Sequence, residues 1–363
     1  MNTELSHFAA RLRELIASRP PAIRRRQFSE LALELFALQF QHNPAYRKIC
    51  EARRLTPTTV ENWTQIPAVP TAAFKELDLT SLAPDERAAV FHSSGTTEQK
   101  PSRHFHGAES LATYEASLIA WFLENVPPDL RLAIDDLRLV CLTPPPTLVP
   151  HSSLVHMFEF IRQKLGRPAT VFVGRVDAEG AWTMDFEAAL AALGNHPKSE
   201  IRNPKLILGT AFSFVHLLDC LASKDLAFNL PEGSLVMETG GYKNRSRVLP
   251  KEELHALITE RLGVPRENII CEYGMSELSS QAYAKSSGTF LFPPWARVQI
   301  ISPETGREVA EGETGIIRIF DLANVFSVAA IQTEDLGVRR GDGFELIGRA
   351  QLAEPRGCSL MTA

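Results

Sequence analysis

Four hydroxyl side chains and one glycine fill five consecutive positions in the stretch FHSSGTTEQKP, Phe91 to Pro101. Gly95 permits a tight turn and a close approach of backbone to ligand. Ser93, Ser94, Thr96 and Thr97 offer hydroxyl and amide donors, and Lys100 adds positive charge. Together they have the chemistry of a phosphate cradle. The segment is not a P-loop, because the G-x-x-x-x-G-K-[ST] spacing is absent. Glu98 must point away from any phosphate held there. Serine-rich loops are common, so the reading needs partners elsewhere in the chain.

The elements that would position such a loop follow it. Short apolar runs (LRLVCL, ATVFVG, KLILG, SLVME, NIICEYG) alternate with amphipathic helical segments such as SLVHMFEFIRQKL and PKEELHALITERL. Fully apolar strands alternating with helices predict an α/β core whose mainly parallel sheet is covered by helices on both faces. Ligands of such sheets gather at the carboxyl ends of strands. Three junctions fall there: GTAFS at Gly209, ETGGYKNRS at Glu238 and YGMSE at Tyr273. A strand end needs a turn, which explains each singly; their predicted convergence points to a site.

On either side the patterning changes. Residues 1–90 read as a helical N-terminal segment packed on the core, with Phe28, Leu31, Leu35 and Leu38 forming an apolar stripe. The α/β core spans 91–287, a smaller β-rich lobe with RVQIIS, GIIRIF and FELIGR spans 288–349, and 350–363 is a short tail.

Composition narrows the function classes. The 363 residues are 44% hydrophobic and 22% charged, with a net charge of −5. That balance supports a buried core and gives no global field for nucleic acid or anionic lipid. The five cysteines are scattered at 50, 141, 220, 271 and 358 with no C-x-x-C pair, which predicts a reduced, cytoplasmic protein. No apolar run is long enough for a membrane span. Arg24–Arg26 reads as a solvated helix approach, with no aromatic platform for nucleic acid. His92, His104 and His106 lack a Cys or carboxylate partner at ligand spacing. Ser276 lies in GMSEL, without the second glycine of a hydrolase elbow.

The motifs SSGTT, YGMSE and TEDLGVRRGDGFELIGRA, in that order, resemble the adenylate-forming superfamily of acyl-CoA synthetases, luciferases and peptide-synthetase adenylation domains. NPAYRKIC, IPAVPTAAFK, GGYK and the ending GR…RGCSL are similar to the acyl-protein synthetase (LuxE) family within it. Glu98, the order KP, and TEDL in place of TGDL depart from the usual pattern. The resemblance implies an adenylate-forming N-terminal core with a β-rich lobe and with the C-terminal lysine-bearing domain absent. It implies ATP and Mg²⁺ as cofactors. Ser93 to Thr97 would hold the β- and γ-phosphates, and Tyr273 would stack on adenine opposite Gly240 and Gly241. Gly274, Met275 and Ser276 complete that segment, Asp335 would accept from the ribose hydroxyls, and Arg349 would lie near ribose and phosphate. Glu277 would bind Mg²⁺. Lys243, ahead of Lys100, would stand in for the missing lysine.

The implied reaction needs no Ser-His-Asp triad. A fatty acid is already ionised at neutral pH, so attack on the α-phosphorus requires alignment and charge neutralisation rather than a base. Cys358 is the candidate acceptor. From its residues alone, EPRGCSL is a polar, glycine-flanked tail in which Arg356 favours the thiolate, and an inert exposed thiol fits equally. The resemblance implies a thioester on this cysteine, passed to an acyl-CoA reductase-like partner for fatty aldehyde formation. The alternatives are an acid–CoA or aryl-acid ligase that releases its thioester, and a non-catalytic nucleotide-binding subunit. Chain length preference and homo-oligomer formation are left open.

Overall fold

The apolar runs in the middle of the chain have no polar face to turn toward water, and the computed structural model buries them from both sides. It describes residues 3–18, 23, 25–93, 100–127, 138–165, 170–194, 203–240, 247, 249–285 and 287–349. Before the central sheet comes an antiparallel hairpin, β1 (Ala89–His92) and β2 (Arg103–His106). The sheet contains β3 (Arg138–Cys141), β4 (Val171–Phe172), β5 (Lys205–Thr210), β6 (Leu235–Thr239), β7 (Ile269–Tyr273) and β8 (Ala282–Ala284). Its order is β8-β7-β6-β5-β3-β4, parallel except for the antiparallel edge strand β8.

Side-chain alternation along these strands feeds two separate apolar layers. Ile207, Val236 and Ile269 pack with helices over Phe186–Leu193, Ala211–Ser223 and Lys251–Leu262. Leu206, Leu208, Leu235, Met237 and Ile270 face helices over Ala108–Asn125 and Ser153–Leu165. Thr210 caps the helix after β5 through a reciprocal bond pair with Ser213, which satisfies the amides of both residues where strand turns into helix.

A second sheet follows: β9 (Thr289–Phe290), β10 (Ala296–Ile301), β11 (Thr314–Asp321), β12 (Ala330–Arg340) and β13 (Gly343–Arg349), ordered β9-β13-β12-β11-β10. The expectation of an adenylate-forming core with its C-terminal domain absent is corrected here. A smaller C-terminal β-rich lobe, residues 289–349, follows the core and is present as an integrated unit. The runs RVQIIS, GIIRIF and FELIGR do not include its longest strand, β12, whose polar stretch TEDLGVRR reads as a motif. Val69–Pro70 pairs in parallel with β12, and the N-terminal helices share one apolar cluster with the lobe.

Buried polar contacts fix that union. Gln39, on the helix Arg25–His42, donates to the carbonyls of Asn324 (2.7 Å) and Val325 (3.2 Å) and accepts from the Ala329 amide (2.9 Å). Gln39→Ala would leave the Val325 carbonyl and the Ala329 amide buried without this partner, at about 1–3 kcal/mol each, while the Asn324 carbonyl keeps the Ser327 amide at 3.2 Å. We expect a net loss of about 2 kcal/mol in urea unfolding, and an unchanged midpoint would show that water replaces the amide. Among the described residues, no helix is long and apolar enough to cross a membrane.

Candidate functional site

Three stretches far apart in the sequence meet at the carboxyl ends of β6 and β7. The hairpin β1–β2 brings the neck of the hydroxyl-rich loop: the Ser102 amide donates to Ser93 Oγ (3.0 Å), and the Ser93 amide to the Ser102 carbonyl (3.4 Å). Ser102 Oγ then lies 3.3 Å from Ser276 Oγ. His104 Nδ1 is 2.8 Å from the Ser276 carbonyl. A carbonyl can only accept, so that nitrogen carries the proton. Complete burial lowers the His104 pKa to about 4, which keeps the ring neutral.

Ser276 donates to Glu277 at 2.9 Å, and the Glu277 carbonyl accepts from Asn324 at 2.9 Å. Glu277 is buried, and that burial raises its pKa against the hydrogen bonds of Ser102 and Ser276 and the charge of Arg349. Asp321, at the end of β11, braces the same turn by accepting from the Ser279 amide (2.9 Å) and the Ser280 hydroxyl (2.7 Å).

The third stretch arrives with β12 and β13. The Tyr273 hydroxyl donates to Asp335 Oδ2 at 2.8 Å. Asp335 and Arg349 are paired across the two strands, with Arg349 Nε 3.9 Å from Asp335 Oδ1 and the arginine side chain 82% exposed. Burial raises the Asp335 pKa, while the Tyr273 hydrogen bond and Arg349 oppose the shift. The Tyr273 ring is itself buried, edge-on to Phe344 at 5.2 Å. Gly240 ends β6 at φ +67°, with no atom within 4 Å of where a Cβ would stand. Gly274 is exposed and Met275 half-buried. Space is thus open beside Gly240, whereas at Gly274 the Glu272 carboxylate fills the place a Cβ would take.

Ser93, Gly240, Tyr273, Gly274, Met275, Ser276, Glu277, Asp335 and Arg349 thus lie along one rim. Lys100 is half-exposed and turns to Glu76 at 3.5 Å. Ser94, Gly95, Thr96, Thr97, Gly241, Lys243 and Cys358 lie outside the described residues. Sequence reasoning missed Ser102, His104 and Asp321. The only available signal was the strand alternation that puts His104 and His106 on one face. Of the other cysteines, Cys50, Cys141 and Cys271 are buried, and burial raises each thiol pKa, that of Cys50 to about 11.

Comparison with known proteins accords with this arrangement. The model of the acyl-protein synthetase, LuxE, family matches residues 15–363. The long-chain-fatty-acid–luciferin-component ligase of Vibrio harveyi is 23% identical over 346 residues, covering 92% of this chain and 86% of the relative. The corresponding ligase of Aliivibrio fischeri is 22% identical over 353 residues, covering 92% and 87%. Among solved structures, 2-hydroxyisobutyryl-CoA ligase in its postadenylation state with 2-HIB-AMP superposes at a TM-score of 0.67 and 14% identity, covering 90% of this chain and 68% of that one. ATP-bound MatB from Rhodopseudomonas palustris superposes at 0.51 and 15% identity, covering 96% and 73%. A family model spanning nearly the whole chain places it in the acyl-protein synthetase (LuxE) family of adenylate-forming, ATP-dependent acid–thiol ligases.

Proposed function

We propose that this rim activates a long-chain fatty acid as its acyl-adenylate and that Cys358 then takes the acyl group for delivery to a reductase-type partner. The observation that carries the reading is the pair of links Ser102–Ser276–Glu277 and Tyr273–Asp335, which draw three distant segments onto one strand-end crevice. The fatty acid is suggested by the names of the two Vibrio-group ligases.

The residues present suit the groups the reaction needs. Asp335 keeps Oδ1 free of hydroxyl donors for a sugar diol, and Gly240 leaves room beside the Tyr273 segment for a base. The hydroxyls and amides of Ser93 to Thr97 would grip the polyphosphate. Glu277 supplies one hard oxygen ligand of the kind Mg²⁺ takes together with phosphate oxygens, and the bound ion would neutralise charge on the leaving pyrophosphate.

A carboxylate oxygen of the acid attacks the α-phosphorus, and the bond to the pyrophosphate bridging oxygen breaks. The site's task is alignment and charge neutralisation. The Cys358 thiolate next attacks the acyl carbonyl, forming the thioester and releasing AMP. Acid-dependent exchange of pyrophosphate into ATP tests the first half, and hydroxylamine-labile acylation of the protein tests the second. Absence of exchange with any acid would remove the reading.

Lys243, in the GGYKNRSR segment after β6, is the proposed cation for the reacting phosphate. Loss of one preorganised charge-stabilising donor costs about 10²–10³ in rate. Lys243→Ala should therefore slow exchange by about that factor with little change in protein stability. Wild-type exchange in Lys243→Ala, with slow exchange in Lys100→Ala, would move the role to Lys100.

A further inference from the structure

Behind the rim lies a second cluster that this reaction does not use. Glu238 on β6 and Cys271 on β7 are direct cross-strand partners, and His255 projects onto them from the helix Lys251–Leu262. His255 Nε2 is 3.7 Å from Cys271 Sγ and 3.7 Å from Glu238 Oε1, and the three ligand atoms lie within 4.8 Å of one another. All three residues are buried.

Sulfur, imidazole nitrogen and carboxylate oxygen bind zinc at about 2.3, 2.0–2.1 and 2.0–2.2 Å. Around a tetrahedral ion, such atoms stand roughly 3.3–3.6 Å apart. The two measured separations exceed that by only a few tenths of an ångström. A mixed sulfur–nitrogen–oxygen set suits zinc and its near neighbours and not Mg²⁺ or Ca²⁺. Three ligands on two adjacent strands and one packed helix also hold their relative positions without help from a mobile loop.

We infer that Glu238, His255 and Cys271 form a three-ligand site for a zinc-class divalent cation, separate from the magnesium position at Glu277. Binding expels the Cys271 thiol proton and clamps the helix Lys251–Leu262 to β6 and β7. Those strands end at Gly240 and Tyr273, so the ion would stiffen the floor under the nucleotide crevice.

Lys251 is the competing cation. Its ammonium is a hydrogen-bonding neighbour of the Cys271 thiol and lies 4.8 Å from the Phe290 ring centroid. It begins its helix on a flexible stem and can swing toward the aromatic ring as an ion enters.

The test uses the full chain carrying Cys358→Ser, which removes the tail thiol as a ligand. After metal stripping and titration with Zn²⁺, we expect about one ion per chain. Co²⁺ in its place should give a thiolate-to-cobalt charge-transfer band in the near ultraviolet. Adding Cys271→Ser should remove the band, and adding His255→Gln should weaken Zn²⁺ binding at least about tenfold. If Cys271→Ser fails to fold, the cobalt spectrum of the parent decides alone. No uptake by the parent would leave Lys251 as the resident cation and overturn the proposal, as would undiminished binding in both ligand variants. Pyrophosphate exchange is measured separately, so failure of the ligase reading is distinguishable from failure of the metal site.

Discussion

Cys358→Ser is expected to abolish hydroxylamine-labile acylation of the protein while acid-dependent pyrophosphate exchange continues. The two half-reactions use different groups. On the proposed reading, exchange depends on the rim of Ser93, Glu277 and Asp335, whereas acyl capture depends on a thiolate. A serine hydroxyl without an activating base is a far weaker nucleophile, and general-base assistance alone is worth about 10²–10⁴ in rate. Acyl capture should therefore fall at least ~100-fold. The other cysteines offer no ready substitute: Cys50, Cys141 and Cys271 are buried with raised thiol pKa values, and Cys220 is half-buried on a helix. Radiolabelled acid and gel autoradiography would read the result. Undiminished labelling in the variant would exclude Cys358, and loss of exchange together with acylation would show that the tail also shapes the adenylation site.

Glu272→Gln is expected to flatten the pH dependence of stability. Glu272 is buried on the face of β7 opposite Tyr273, paired across the strands with Tyr283 and hydrogen-bonded by Thr239. Burial pushes its pKa up from 4.5 to about 7; the Thr239 bond opposes the shift and Glu238 reinforces it. Between pH ~4.5 and ~7 the unfolded chain loses this proton while the folded chain retains it. The unfolded state then binds fewer protons, so stability falls as pH rises through that window and levels off above it. At about 1.36 kcal/mol per pKa unit, the loss amounts to about 3 kcal/mol. The variant should match its parent near pH 4.5 and exceed it by up to that amount at pH 8 in urea unfolding. Equal pH slopes for the two proteins would show that the carboxylate is already ionised in the folded state near neutral pH.

How much of this was legible in the sequence varies with the kind of residue. KLILG, SLVME and NIICEY announce themselves as strands because their central positions are apolar, with polar residues only at or near the ends. Tyr273, Glu277, Asp335 and Arg349 stand out in the sequence as candidates because their motifs are short and dense. What was hidden is long-range and polar. Ser102 and His104 have meaning only once β2 lies against the turn after β7, and Asp321 only once β11 reaches Ser279 and Ser280. The segment DLANVFSVA looks like another apolar run, yet its backbone is held by Gln39, Asn43 and Thr80 from the N-terminal helices and the segment after them. The longest strand of the C-terminal lobe is hidden for a related reason: in β12 the polar side chains that mark a motif mask an eleven-residue strand.

The bond from Tyr273 to Asp335 has one more implication. The phenol occupies one carboxylate oxygen, so the aspartate offers its interior side with one acceptor already committed. An incoming sugar need compete only for the second oxygen, beside a guanidinium that swings in solvent. On the proposed reading the phenol orients the carboxylate, and recognition of the sugar falls to a single oxygen atom.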